Sequence, residues 1–172
     1  MASTPPEPPP KAFKKVLSRF PSGVTVVTTR NQGEPHGLTV SAFSAVSAEP
    51  PRVLVCLGRD TDSLPMVRES GCFAVHILGR EHARLAARFA KMLPGVDDLF
   101  EGLAVREEVT SAPILSACLG WLDCTVESSY EVGDHTVLIG AVRALGPGEA
   151  DGEPLLYFNR AFRSLASDPL DV

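Results

Sequence analysis

Apolar and polar positions change rhythm several times along the chain, and each rhythm predicts an element. Phe13, Val16, Leu17 and Phe20 recur three and four residues apart, with Lys11, Lys14, Lys15 and Arg19 elsewhere. That spacing predicts a short amphipathic helix over 12–20, ended by Pro21-Ser22-Gly23. Val24 to Thr29 is almost purely β-branched and reads as a strand. Asn31-Gln32-Gly33-Glu34-Pro35 predicts a turn, from which 36–47 returns antiparallel as a strand. Val53-Leu54-Val55-Cys56-Leu57 is an unbroken apolar run of strand length, expected to be buried on both faces.

A helix is predicted over 63–70, with Ser63 as its N-cap and Pro65 in the first turn. Cys72 to Leu78 is the next strand. A second helix over 81–92 has Leu85 and Phe89 on one face and Arg80, Arg84 and Arg88 in a stripe. Residues 94–102 read as loop. Two long strand-like runs, 117–127 and 135–145, flank a turn at Gly133-Asp134. Then come a glycine-rich loop over 147–153, a last short strand over 155–158, and a helical turn over 162–166. About seven strands in hairpin-like succession, with two or three short helices, predict a mainly β, antiparallel barrel with helices packed on its ends.

Composition narrows this picture. At 172 residues the chain is one domain by size, with enough length for a sizeable core. Residues 1–10 hold five of the fifteen prolines, which predicts a disordered or polyproline-like tail ahead of a folded domain over 11–172. The net charge is −5 and no block of like charges occurs, which argues against nucleic acid or anionic membrane as a partner. No apolar run reaches the ~18 residues of a membrane span, and no apolar signal region opens the chain. Cys56, Cys72, Cys118 and Cys124 are widely spaced within apolar runs, which predicts reduced thiols and a cytoplasmic setting, with no metal site.

Motif chemistry is thin. The chain contains no G-x-G-x-x-G after a strand, no P-loop, no H-E-x-x-H, no C-x-x-C and no G-x-S-x-G. Such thinness fits a protein that leaves its chemistry to a bound cofactor. Four segments are candidates for a site. In 36–47, Thr39, Ser41 and Phe43 share one side of the pleat, and small residues leave the backbone approachable by something flat. The same stretch is also compatible with a solvated hydroxyl face. Asp60 to Ser63 leads into a helix N-terminus suited to phosphate, or is an ordinary helix start. Arg84 and Arg88 can reach an anion or form a solvated basic face. His135, straight after Gly133-Asp134, stands at a barrel rim where it can orient a substrate or simply occupy a turn.

Taken together, Phe20-Pro21-Ser22-Gly23-Val24-Thr25, His36-Gly37-Leu38-Thr39-Val40-Ser41-Ala42-Phe43 and Ser47-Ala48-Glu49-Pro50-Pro51 resemble the flavin reductase-like, FMN-binding split-barrel family. So do Phe73-Ala74-Val75-His76, Trp121-Leu122-Asp123-Cys124, Gly133-Asp134-His135 and Pro154-Leu155-Leu156-Tyr157-Phe158, in order along nearly the whole chain. The strongest likeness is to the small reductase components of two-component flavin monooxygenases.

The resemblance implies a homodimeric split β-barrel that binds FMN or FAD and uses NADH or NADPH. It places Pro35, His36, Gly37, Leu38 and Thr39, with Ser41 and Ala42, along the isoalloxazine and ribityl chain. Cys56, Leu57 and Gly58 form a second wall, Asp62 and Ser63 hold the phosphate, and Arg88 with Phe89 makes a further flavin contact. His135, with Tyr157, Phe158, Asn159 and Arg160, meets the nicotinamide cofactor. Asp60 and Asp62 set two carboxylates beside the phosphate turn, a repulsion to be offset by Arg59, Arg88 or side-chain orientation. By the same resemblance, reduced flavin diffuses to a separate flavin-dependent monooxygenase. Other readings are a non-catalytic flavin-binding or redox-sensing module, and an oxidase with tightly held flavin.

Overall fold

The computed structural model describes residues 6–165. Its elements, in order, are α1 (Pro10–Leu17), β1 (Ser22–Gly23), β2 (Thr25–Asn31), β3 (Glu34–Val40), β4 (Phe43–Ala48), β5 (Pro51–Gly58), α2 (Ser63–Ser70) and β6 (Cys72–Ile77). A 3-10 turn (Arg80–His82) leads into α3 (Ala83–Phe89). The rest is β7 (Val105–Arg106), β8 (Ile114–Leu115), β9 (Gly120–Val132), β10 (His135–Pro147), β11 (Leu156–Phe158) and β12 (Ala161–Arg163).

Seven strands form one antiparallel sheet in the order β3-β2-β6-β9-β10-β5-β4. Its two edge strands, β3 and β4, are consecutive in the chain and joined only by Ser41 and Ala42. Three Cα–Cα steps from Val40 to Phe43 reach at most about 11 Å, so the two edges must lie side by side and the sheet closes into a barrel. The Cys56 amide donates to the Ala42 carbonyl at 2.9 Å and ties that corner to β5. The stretch 36–47, read as one strand from sequence, is therefore two strands on opposite edges with the corner between them.

Local sequence explains the connections. Gln32 and Gly33 both take positive φ, 50° and 87°, as the two-residue turn between β2 and β3 requires. Gly71 ends α2 in the left-handed conformation. Several expectations need correction. Twelve strand segments replace about seven, because short pairs were below the length that periodicity detects. The helical turn expected at 162–166 is β12 over its first residues, zipped to β11 through the turn at Asn159 and Arg160, and its last residue lies outside the described residues. The helix expected over 81–92 is α3 with a 3-10 lead, and it ends at Phe89. Residues 1–5 of the expected tail lie outside the described residues; α1 begins at Pro10, with proline at its first position.

Two apolar clusters flank the sheet. Val27, Val55, Leu57, Phe73, Val75 and Leu138 fill the barrel, plugged by Leu64 and Val67 of α2. Outside it, Val26, Ala74 and Trp121 pack under Phe89, Ile114, Leu115 and Leu155. β2 and β6 are thus buried on both faces. β5 alternates between buried and half-buried positions, against the expectation of burial on both sides, because among the described residues no helix or strand packs over its outer face. α1 buries no residue, and Phe13, Val16 and Leu17 are exposed. Among the described residues, no helix is long and apolar enough to cross a membrane.

Candidate functional site

A groove runs along β3, from the β11–β12 hairpin to the start of α2 and beyond. Its first compartment, about 240 Å³, is lined by Val24, Thr39, Ser41, Met92, Tyr157 and Phe162. Thr39 and Ala90 lead into an inner chamber of about 400 Å³ bounded by Leu38, Thr61, Ser63 and Phe89. Gly37, Asp62, Ser63 and Lys91 are shared with an outer chamber of about 480 Å³ that continues past α2. Tyr157 and Phe162 stack edge to face at 5.9 Å, as do Phe89 and Phe100 at 5.2 Å, so both ends of the groove have rigid aromatic walls.

Each wall follows from its local sequence. At the barrel corner, among the described residues, the amides of Ser41 and Ala42 have no backbone acceptor and the Ser41 hydroxyl has no partner. They are free to donate. Thr39 is not: its hydroxyl donates to the Ala86 carbonyl at 2.6 Å, which fastens α3 to β3. Thr39 is left with lone pairs alone to offer a ligand. Gly37 is required by close approach, since a Cβ there would lie 2.7 Å from the Phe89 ring. The flat group that the small residue admits at this point is the protein's own Phe89.

At the other end, the Thr61 hydroxyl and amide both donate to the Gly58 carbonyl, at 2.8 and 3.2 Å. This turn makes Asp62 the N-cap residue and Ser63 the first residue of α2, correcting the expectation that Ser63 caps the helix. Ser63 is only 7% exposed, and its hydroxyl makes no hydrogen bond among the described residues although it borders both chambers. The amides of Asp62 and Ser63 likewise have no backbone acceptor among these residues. A hydroxyl without a protein partner, open to the chambers on an otherwise buried residue and beside free amides at a helix N-terminus, suits an anion.

The repulsion expected from Asp60 and Asp62 is met by a residue that sequence reading missed. Lys91 Nζ donates to Asp62 Oδ2 at 2.6 Å. That bond and charge hold the Asp62 carboxyl below its ordinary range, with a smaller contribution from His36. Lys91 takes φ +55°, which turns the chain out of α3 and back toward α2. Neither that turn nor a pairing across 29 residues has a sequence signature.

The remaining predicted residues divide. Pro35, His36 and Gly37 line the outer chamber; Leu38, Thr39 and Phe89 line the inner one. Leu57 belongs to the barrel core, and Cys56, half-buried, has its thiol pKa raised by burial. Arg88 faces elsewhere: its guanidinium donates to the Asp98 and Glu101 carbonyls, both at 2.8 Å, and shapes the loop after α3. Phe158 lies in β11, while Asn159 and Arg160 form the hairpin tip, where the Asn159 amide donates to Ser18 of the α1 C-cap. His135 is on the main sheet opposite Gly58, with Nδ1 2.7 Å from Asp134 Oδ1. It lines none of the three compartments, so one chain does not bring it together with Tyr157. A larger open cavity of about 600 Å³ lies beyond Phe162, against Arg80 and Arg163.

Comparison with known proteins gives the geometry its context. Residues 17–166 match the model of the flavin reductase like domain. The chain is 43% identical over 155 residues to a flavin reductase (NADH) of Kitasatospora aureofaciens, covering 87% of this chain and 78% of that protein. It is 35% identical over 159 residues to HsaB, the reductase subunit of a flavin-dependent monooxygenase of Rhodococcus jostii, covering 92% and 80% of the two. Nitrilotriacetate monooxygenase component B of Mycobacterium thermoresistibile superposes with a TM-score of 0.85 at 32% identity, over 94% of this chain and 91% of the other. By its domain match and its fold, the chain belongs to the flavin reductase-like domain family.

Proposed function

We infer that this protein is an NADH-dependent flavin reductase that reduces FMN or FAD and supplies the free reduced flavin to a separate monooxygenase. The observation that carries the reading is the β3 groove, with free donors at the corner and, at the helix start, a Ser63 hydroxyl that faces the chambers and has no partner among the described residues. Those two ends match the two polar ends of a flavin, and the apolar wall between them suits its ring and chain. Dependence on NADH rather than NADPH follows the names of its relatives, as does the partner monooxygenase.

When bound, the flavin supplies the redox chemistry by accepting a hydride from the nicotinamide. The chain's part is to align the two rings and place donors where negative charge grows. Ser41 and Ala42 amides take that donor role, with the Ser41 hydroxyl. Thr39 keeps α3 seated and accepts. Ser63 and the Asp62 amide hold the phosphate end, and Lys91 offsets the Asp62 charge. Tyr157 and Phe162 wall the open side where the nicotinamide enters. His135, held by Asp134, orients the nicotinamide nucleotide. Because His135 stands outside the chain's own groove, we place it in the site of a second copy. The exposed Val46 and Leu145 beside the half-buried outer face of β5, and the exposed apolar face of α1, favour such a homodimer. Four unpaired thiols favour the reducing cytoplasm.

The test is NADH oxidation by purified protein, first without flavin and then with FMN or FAD. Turnover only with added flavin, saturating in it, is expected. Flavin binding without turnover would make this a binding module instead. His135→Ala should raise KM for NADH about tenfold while changing KM for flavin far less. Equal loss in both would remove the orienting role.

A further inference from the structure

Where the sulfur atoms lie decides which of them an oxidant can reach. The chain carries four cysteines and three methionines. Cys72, Cys118 and Cys124 are buried, and Cys56 is half-buried. Burial pushes the Cys118 and Cys124 thiols up to about 11 and about 12 and raises that of Cys56 as well, so these three are protonated at neutral pH. Met66 is half-buried, and its sulfur accepts a hydrogen bond from Asn31 Nδ2 at 3.3 Å. Met1 lies outside the described residues. Met92 is different. It is 66% exposed and lines the compartment of about 240 Å³ with Thr39, Ser41, Tyr157 and Phe162. Its backbone is fixed, because Lys91 before it is left-handed and the Met92 amide donates to the Ala87 carbonyl at 2.9 Å. The turn that ends α3 therefore holds a thioether at the open side of the groove.

We propose that Met92 is a site of reversible oxidation, at which peroxide formed from unused reduced flavin makes the sulfoxide and slows NADH use. This rests on the flavin reductase reading given above and goes beyond it. Reduced flavin that meets no monooxygenase gives two electrons and two protons to dioxygen, which leaves oxidised flavin and hydrogen peroxide. The Met92 sulfur lone pair then attacks one peroxide oxygen. An S–O bond forms, the O–O bond breaks and the other oxygen leaves as water. Sulfur is oxidised by two electrons and the peroxide reduced by two.

A thioether has no proton to lose first, so Met92 reacts at a pH where the thiols are silent. The product is polar and chiral where the thioether was apolar and flexible. Beside Tyr157 and Phe162 it sets a strong acceptor against the aromatic wall where the nicotinamide enters. The reductase thereby slows when its product is not consumed, and a methionine sulfoxide reductase resets it.

The experiment treats the full-length protein with hydrogen peroxide, maps sulfoxide by mass spectrometry of its peptides, and then assays NADH oxidation with added flavin. Met92 should oxidise at least about tenfold faster than Met66, and KM for NADH should rise about fivefold in step with it. Methionine sulfoxide reductase should restore the starting KM. Met92→Leu, measured against its own untreated value, should keep its KM through the same treatment. During turnover in air without a monooxygenase, Met92 sulfoxide should accumulate, and catalase should prevent it. Oxidation of Met66 ahead of Met92, a Met92 sulfoxide that leaves KM unchanged, or an equal loss in the Met92→Leu protein would overturn the assignment while leaving a flavin reductase. No NADH oxidation with either flavin before peroxide is added would overturn the flavin reading itself.

Discussion

The two halves of the main sheet are built from similar residues and serve different ends. β2, β6 and the first part of β9, around Trp121 to Cys124, are covered on both sides, by the barrel interior and by the segment 109–118 with α3. β10, β5 and β4 are covered only from inside, and Val46 and Leu145 lie bare on their outer face. The covered half is fastened by buried polar groups. His76 presents Nδ1 to the Val26 carbonyl and accepts the Leu115 amide at Nε2, both at 3.0 Å. Asp123 accepts the Val109 and Thr110 amides and the Thr110 hydroxyl, and Thr28 donates to the Pro113 carbonyl. On the open half the buried polar side chain among the described residues is Thr136, whose hydroxyl accepts from Arg68 of α2 at 3.4 Å, a longer and less buried link. The difference teaches where the chain completes its own core and where it leaves apolar side chains exposed. The groove along β3 lies at the seam, where the edges of the two halves meet at Ser41 and Ala42.

The largest effect that sharpens this contrast is Phe73→Ala, which empties the centre of the covered half and should cost about 3–5 kcal/mol in urea unfolding. Next is the pH dependence of His76, which burial lowers from its ordinary 6.5 to about 4. The unfolded chain binds this proton near 6.5 and the folded one only near 4. Its contribution is therefore complete above pH 6.5 and is lost as pH falls toward 4, about 3 kcal/mol in all. His76→Gln should flatten that part of the stability profile. Gly140→Ala puts a Cβ 2.5 Å from the Phe73 ring and 3.1 Å from Cys124, and should cost about 1–3 kcal/mol. Smallest is Leu145→Ser on the open face, within about 0.5 kcal/mol of wild type for the isolated protomer. The same change should weaken the proposed homodimer in sedimentation. A large stability loss from Leu145→Ser in dilute protein would break the contrast.

Much of this was legible in the sequence, because hydrophobic rhythm reports burial. The β-branched run at 24–29 and the helix over 63–70 emerged where expected, and the resemblance carried the barrel. What periodicity cannot see is which face another element covers. It reads 53–57 as doubly buried, although the outer face of β5 is only half-buried. It read 36–47 as a single strand, since nothing in Ser41-Ala42 announces a crossing from one sheet edge to the other. Hydroxyls are visible in the sequence but their partners are not: the resemblance lays Thr39 along the flavin, whereas its proton serves the Ala86 carbonyl. Lys91 and the outer chamber depend on a left-handed residue and a long-range ion pair, and neither has a local signal.

The central claim, that flavin lies along the seam of the barrel, is tested most directly by Ser41→Trp. Ser41 is exposed, makes no side-chain hydrogen bond among the described residues and lines the compartment beside Tyr157. A bulky ring there should leave the melting temperature nearly unchanged. It should weaken flavin binding, measured by fluorescence titration, by at least about tenfold. Unchanged flavin affinity in a folded Ser41→Trp protein would contradict the account and place the flavin elsewhere.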